Sequence, residues 1–104
     1  MNLCRAACVL ALVCTPLAAE GQSFNCRDAH LPDEVLICQS PVLARLDERM
    51  ASIYFTLRNS LSGARRRALE ADQTRWLRSR TACGRDYYCI EAAYERRIRQ
   101  LRAW

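Results

Sequence analysis

The chain has 104 residues and a formal net charge of +5, and all 16 of its basic residues are arginine. A chain of this length forms at most one small domain, whose apolar core alone gives marginal stability. The positive charge favours anionic surroundings such as envelope polymers or acidic protein faces, and no apolar run approaches the roughly 20 residues that a transmembrane helix requires.

Residues 1–19 are predicted to form a secretory signal peptide. Arg5 supplies the positive region, residues 6–13 the apolar region, and residues 17–19 a cleavage site of small residues. The mature domain is therefore expected to span residues 20–104 in the periplasm or outside the cell, where nucleic acid is not an expected partner. A lipid anchor at Cys14 is disfavoured because Val13 stands where a lipobox requires a small residue.

Four cysteines remain after cleavage, since Cys4, Cys8 and Cys14 leave with the signal peptide; the four are Cys26, Cys38, Cys83 and Cys89. An even number in a small exported domain predicts disulfides. We favour Cys26–Cys38 and Cys83–Cys89, because each bond closes a local loop at a helix end, although a crossed pairing stays open. A zinc site is the weaker interpretation, since His30 is the only histidine and there is no Cys-x-x-Cys. No metal or cofactor is expected.

Helical signals follow one another along the mature chain. Pro32 predicts the start of a short helix with acids in its first turn. Ser40 is predicted to cap a long helix, with Pro41 at its first position. Gly63 is expected to end this helix in a left-handed cap. Two further helices are predicted over residues 64–82 and 86–103. No alternating strand pattern occurs, so the sequence predicts an all-α bundle built on a long antiparallel hairpin and stabilised by two disulfides.

The long helix carries an apolar stripe at helical spacing: Leu43, Leu46, Met50, Ile53, Leu57 and Leu61. A turn at residues 62–63 aligns this helix with the next one. The alignment predicts that Asp47 faces Arg80, Tyr54 faces Gln73, and Met50 faces Trp76.

These positions form a predicted polar layer, whose members are Asp47, Tyr54, Gln73, Trp76 and Arg80. Buried charges are costly unless they are paired, and the alignment gives each polar group a partner. We favour a structural layer that fixes helix register. The alternative is a ligand site made of Asp47, Arg80 and Trp76.

Consecutive arginines at Arg65, Arg66 and Arg67 oppose the dipole in the first turn of their helix. A solvated run is the favoured interpretation, and a contact for an acidic partner is the alternative. The last helix is expected to present a further basic face through Arg96, Arg97, Arg99 and Arg102.

The spacing of these motifs resembles the LprI-type domain, a family named for a lysozyme-inhibiting bacterial lipoprotein. The first half of the motif is Cys26-x-x-Ala29, Glu34-x-x-Ile37-Cys38, Pro41-x-Leu43-Ala44-x-Leu46-Asp47 and Tyr54; the second is Gln73-x-x-Trp76-Leu77-x-x-Arg80-x-x-Cys83, Cys89-Ile90 and Tyr94-x-x-Arg97-Ile98-x-x-Leu101. The resemblance implies a small, exported, helical, cysteine-paired protein that binds lysozyme and blocks its attack on the cell wall.

Two functions agree with these features of the sequence, and a third is not expected. The first is inhibition of lysozyme by steric occlusion of the muramidase cleft. Lysozymes of the c type are typically basic, so such a complex requires local contacts through acids; the candidates are Asp28, Asp33, Glu34, Asp86 and Glu91. The alternative is a structural or adaptor module that binds anionic glycan or a partner protein. An enzyme is not expected, because the sequence contains no Ser-His-Asp or Cys-His set.

Overall fold

The computed structural model describes residues 22–104, which form four α-helices and one short 3₁₀ helix, with no strand in this range. The 3₁₀ helix spans Cys26–Asp28 and is followed by the four helices: α1 (Pro32–Gln39), α2 (Pro41–Ser60), α3 (Gly63–Ala82) and α4 (Tyr87–Arg102). The predicted all-α class is confirmed. The predicted signal peptide and its three cysteines lie outside the described residues. Within residues 22–104, no helix combines the length and the apolar character needed to cross a bilayer.

The side chain just before α2 and the one just before α4 each accept a hydrogen bond from one free N–H group in the first turn of the helix. The Ser40 hydroxyl accepts a hydrogen bond from the Leu43 N–H at 3.3 Å, with Pro41 at the first helical position as predicted. Asp86 accepts from the Cys89 N–H at 3.1 Å. These caps fix where both helices begin.

The glycine that follows a helix end is not the predicted one. α2 ends at Ser60, before Gly63, which has a φ of 57° and begins α3. The prediction that Gly63 caps α2 is therefore wrong. Gly84 takes the left-handed conformation expected just after a helix. It has a φ of 59° and directly follows Cys83, the C-terminal cap of α3.

Both favoured disulfides are confirmed. Cys26–Cys38 joins the 3₁₀ helix to the last turn of α1, with 5.9 Å between the Cα atoms. Cys83–Cys89 links the end of α3 to the first turn of α4, with 5.6 Å between the Cα atoms. Both bonds therefore hold the same end of the bundle, away from the α2–α3 connection.

The core forms where α2 packs against α4 and α1. Contacts of α2 with α4 are more extensive than those with α3, so a close α2–α3 hairpin is not the main packing unit of the bundle. The buried apolar side chains include Ile37, Leu43, Met50, Leu69, Trp76, Ile90, Tyr94, Ile98 and Leu101. Residues Leu46, Ile53, Leu57 and Leu61 of the predicted stripe are only partly buried and line this core.

Candidate functional site

A buried ion cluster surrounds Arg80, whose side chain is 4% exposed. Its Nε donates to Asp33 Oδ2 at 2.9 Å, and its Nη1 donates to the Tyr94 hydroxyl at 3.1 Å. Asp47 Oδ1 lies 3.8 Å from the same Nη1. Both carboxylates are fully buried, so one guanidinium offsets two buried negative charges.

Tyr94 and Ser23 complete this cluster around Asp47. The Tyr94 hydroxyl donates to Asp47 Oδ1 at 2.9 Å, so it bridges Arg80 and Asp47. The Ser23 N–H and hydroxyl donate to the two oxygens of Asp47 at 2.8 Å and 2.6 Å. The segment before the 3₁₀ helix is thereby attached to the core.

Burial and charge shift the pKa values within the cluster. Burial, together with the neighbouring Asp47 carboxylate, raises the pKa of Tyr94 far above its ordinary value. Burial by itself would lower the pKa of Arg80, but Tyr94, Asp33 and Asp47 outweigh it and raise that pKa. The cluster therefore holds a charged arginine and a neutral tyrosine across the physiological pH range.

A second buried arginine, Arg97, connects α4 to α3. Its Nε donates to Gln73 Oε1 at 2.9 Å and its Nη1 to Asp72 Oδ2 at 2.7 Å. The Gln73 amide in turn donates to Met50 Sδ at 3.3 Å. Arg97 is 1% exposed, so the prediction that it belongs to an outward basic face is wrong.

The Arg97 contact gives Asp72 a pH-dependent contribution to stability. The hydrogen bond from Arg97 lowers the pKa of Asp72 below its ordinary value of 3.8. A lowered folded-state pKa means that the stabilisation is complete above the unfolded pKa and is lost as pH falls through the folded value.

Asp72→Asn should therefore destabilise the protein at pH 7 by about 1 kcal/mol, since Arg97 loses a charged but partly solvated acceptor. Urea unfolding of both proteins at pH 7 and pH 3 measures this effect. We expect the difference between the proteins to shrink at pH 3. A difference that stays constant with pH would show that the Asp72 charge does not contribute.

An open groove lies between α2 and α3, where the two helices separate. Its volume is about 370 Å³. An ion pair lies at each end of this groove. Arg58 Nε lies 3.3 Å from Glu70 Oε2 at the end near the α2–α3 connection, and the Arg80 cluster lies at the other end. Apolar and polar side chains both line it, among them Phe24, Met50, Tyr54, Phe55, Glu70, Gln73 and Leu77.

Some predicted pairs of the polar layer form, and other members bond to different partners. Asp47 and Arg80 are adjacent. Gln73 bonds to Arg97 and Met50, whereas its predicted partner was the Tyr54 hydroxyl. The Trp76 indole N–H donates to the backbone carbonyl of Ala93 at 3.0 Å.

Several partners of this layer were missed. Asp33 was predicted to be a helix-dipole residue and a candidate contact for lysozyme, but it is fully buried against Arg80 and cannot reach a partner. Tyr94 was identified from the sequence only as part of the family motif, with no polar partner assigned to it. The spacing Tyr94-x-x-Arg97 beside Gln73 and Arg80 was the available signal, since two polar groups recur on the buried face of α4.

The three consecutive arginines lie at the start of α3, at the end of the bundle opposite the disulfides. Arg65 and Arg67 are exposed and Arg66 is half-buried. The Arg65 guanidinium lies 5.9 Å from the ring centre of Trp104, which is itself partly buried against the core. The end of α4 therefore meets the start of α3 here.

His30 is exposed and lies 3.9 Å from Glu34. Within residues 22–104, no group of three or more His, Cys, Asp or Glu side chains is placed to hold a metal ion.

The family described as Lysozyme inhibitor LprI matches residues 26–101, a range that includes both disulfides and the charged residues of both buried clusters. The chain belongs to the LprI family. The family description names inhibition of lysozyme.

Curated relatives of this LprI chain are named Lipoprotein LprI and come from Mycobacterium bovis and from two strains of Mycobacterium tuberculosis. Each is 34% identical over 84 residues, which cover 78% of this chain and 41% of the relative. This chain thus spans about two fifths of the length of those LprI proteins. No solved structure matches it significantly.

Proposed function

We propose that this protein is exported to the bacterial envelope, where it binds lysozyme and inhibits it by occluding the muramidase cleft. The observation that carries the proposal is the match of residues 26–101 to a family of lysozyme inhibitors. Two disulfides and an extracytoplasmic family agree with export to the periplasm or beyond the cell. The relatives are named as lipoproteins, whereas Val13 before Cys14 favours soluble export here.

Burial of the polar clusters leaves the outer surface as the place where a partner would bind. Asp47 and Arg80 are 0% and 3% exposed, and each is already held by neighbouring side chains. The alternative of a ligand site at Asp47, Arg80 and Trp76 is therefore not favoured. A bundle cross-linked and aligned in this way presents preorganised surfaces, which reduces the entropic cost of binding another protein.

Charge places a condition on the complex. This chain and a c-type lysozyme would both be basic, so overall attraction does not bring them together. Of the candidate acids, Asp28 and Asp86 are exposed and Glu34 and Glu91 are half-buried, so these four remain accessible on the surface and Asp33 does not.

A cell-wall lysis assay tests the proposed function. Purified mature protein in excess over lysozyme should slow the clearing of a turbid bacterial suspension at least tenfold, because a blocked cleft cannot admit peptidoglycan. Clearing at the uninhibited rate for both c-type and g-type lysozymes, even in large excess, would contradict inhibition. Asp47→Ala provides the control for folding, since it destabilises the fold through the buried cluster and replaces no exposed side chain.

The second candidate is an adaptor module that binds anionic glycan, and the exposed arginines at the start of α3 favour it. Purified peptidoglycan should then retain the protein at low salt and release it at high salt, since exposed ion pairs are screened. Retention without any inhibition of lysis would favour this second function over the first.

A further inference from the structure

We propose that the arginine tip, defined as Arg65, Arg66 and Arg67, is the surface that enters the muramidase cleft and pairs with the carboxylates there. This inference rests on the proposed function and assigns it a contact surface and a chemical partner.

The arginine tip carries positive charge that its own domain does not neutralise. Within the described residues, none of its three side chains forms an ion pair with an acid. The acids that follow in α3 are already engaged, Glu70 by Arg58, and Asp72 by Arg75 and Arg97. The charge of the tip is therefore available to a partner.

Basic side chains from two helices meet at this position. The cations are the third to fifth residues of α3, in and just after the first turn, where the dipole of this helix is positive. No side chain caps the start of α3, so its first N–H groups are not satisfied by a capping side chain. Exposed Arg99 and Arg102 lie in the last turns of α4, whose end meets Arg65 through Trp104. Fixed positive charge from α3 and α4 thus converges at one end of the bundle.

This arrangement is unfavourable for folding. Three cations near the start of a helix repel one another and oppose the helix dipole. The core does not require them, since two of the three are exposed. Neutral side chains at these positions should leave the melting temperature unchanged or raise it. An arrangement that opposes folding while remaining accessible indicates a role in binding.

A muramidase cleft offers the complementary chemistry. Glycoside hydrolases of this kind place two carboxyl groups on either side of the scissile bond. The planar guanidinium fork matches a carboxylate with two parallel hydrogen bonds. Local pairing of this kind accounts for a complex between two proteins of net positive charge.

Occupation of the cleft by the tip would inhibit in two ways. The side chains would exclude the glycan from the cleft. A guanidinium beside the general acid would also favour its ionised form, so that no proton could be given to the leaving-group oxygen.

The test compares two triple variants of the mature protein. Arg65→Gln/Arg66→Gln/Arg67→Gln removes the tip charge. Arg45→Gln/Arg49→Gln/Arg78→Gln removes the same net charge from exposed positions elsewhere on α2 and α3. Inhibition constants are measured in the lysis assay, and melting temperatures by circular dichroism.

We expect the tip variant to inhibit at least about 30-fold more weakly than wild type, with an equal or higher melting temperature, and the control variant to inhibit within about threefold of wild type. Equal inhibition by the tip variant and wild type would overturn the assignment of the tip while leaving inhibition itself intact. Equal losses in the two variants would also overturn it, because net charge and not the tip would then be responsible. Absence of inhibition by wild type would instead overturn the proposed function, and the tip assignment with it.

Calorimetric titration of wild type into lysozyme provides a second measurement. A chitooligosaccharide that fills the cleft should abolish binding of the wild-type protein. Unchanged affinity in the presence of the oligosaccharide would place the contact outside the cleft and overturn the inference.

Discussion

Replacing Arg80 with methionine should lower the free energy of unfolding by about 3–5 kcal/mol, because it leaves two buried carboxylates without a counter-charge. Asp33 and Asp47 are both fully buried, and Arg80 is the cation that contacts each of them. Methionine approximates the length of the arginine stem, so the loss reports the charge more than the packing. Urea unfolding at pH 7 measures it.

Arg78→Met is the matched control for this prediction. Arg78 lies two residues earlier in α3 and is exposed, so its replacement should change stability by no more than about 0.5 kcal/mol. Asp47→Ala should also destabilise more than Arg78→Met, since Ser23 and Tyr94 both lose their acceptor. Equal unfolding midpoints for Arg80→Met and Arg78→Met would contradict a stabilising role for the cluster.

Removing the Cys26–Cys38 disulfide should have the second largest effect. The bond closes a separation of 12 residues, against 6 for Cys83–Cys89. Loop-closure entropy then gives about 3 kcal/mol for the first bond and about 2 kcal/mol for the second. The double variants Cys26→Ala/Cys38→Ala and Cys83→Ala/Cys89→Ala, unfolded in urea, should follow this order.

The Cys26–Cys38 bond should also be coupled to the ion cluster. It restrains the segment that carries Ser23, which donates twice to Asp47. Ser23→Ala should therefore cost less stability in the variant without this disulfide than in the wild-type background. Equal costs in both backgrounds would show that the disulfide does not position Ser23.

Local signals in the sequence predict much of this fold. Ser40 with Pro41 marks the start of α2, and the short separations within each cysteine pair indicate the disulfides. Both signals depend on residues within a few turns of each other, and the structure confirms both. The apolar stripe of α2 likewise predicts which of its faces meets the core, where Leu43 and Met50 are fully buried.

The partners of the buried polar groups were harder to predict because they depend on how distant helices pack. Alignment about a turn compares α2 with α3 alone, and it places Asp47 near Arg80. It contains no information about α1 or α4. α1 supplies Asp33, which lies 47 residues from Arg80 in the sequence, and α4 supplies Tyr94, which lies 14 residues from it. Gln73 was assigned to Tyr54 for the same reason, although α4 presents Arg97 to it.

The two tryptophans occupy different environments, and this gives the protein two separate fluorescence reporters. Trp76 is buried in the core beside Tyr94, with ring centroids 5.3 Å apart, so its emission should follow global unfolding. Trp104 lies partly exposed beneath Arg65, so its emission should respond when that guanidinium turns toward another molecule. A Trp76→Phe variant would leave Trp104 as the single indole, and docking could then be followed optically without a label.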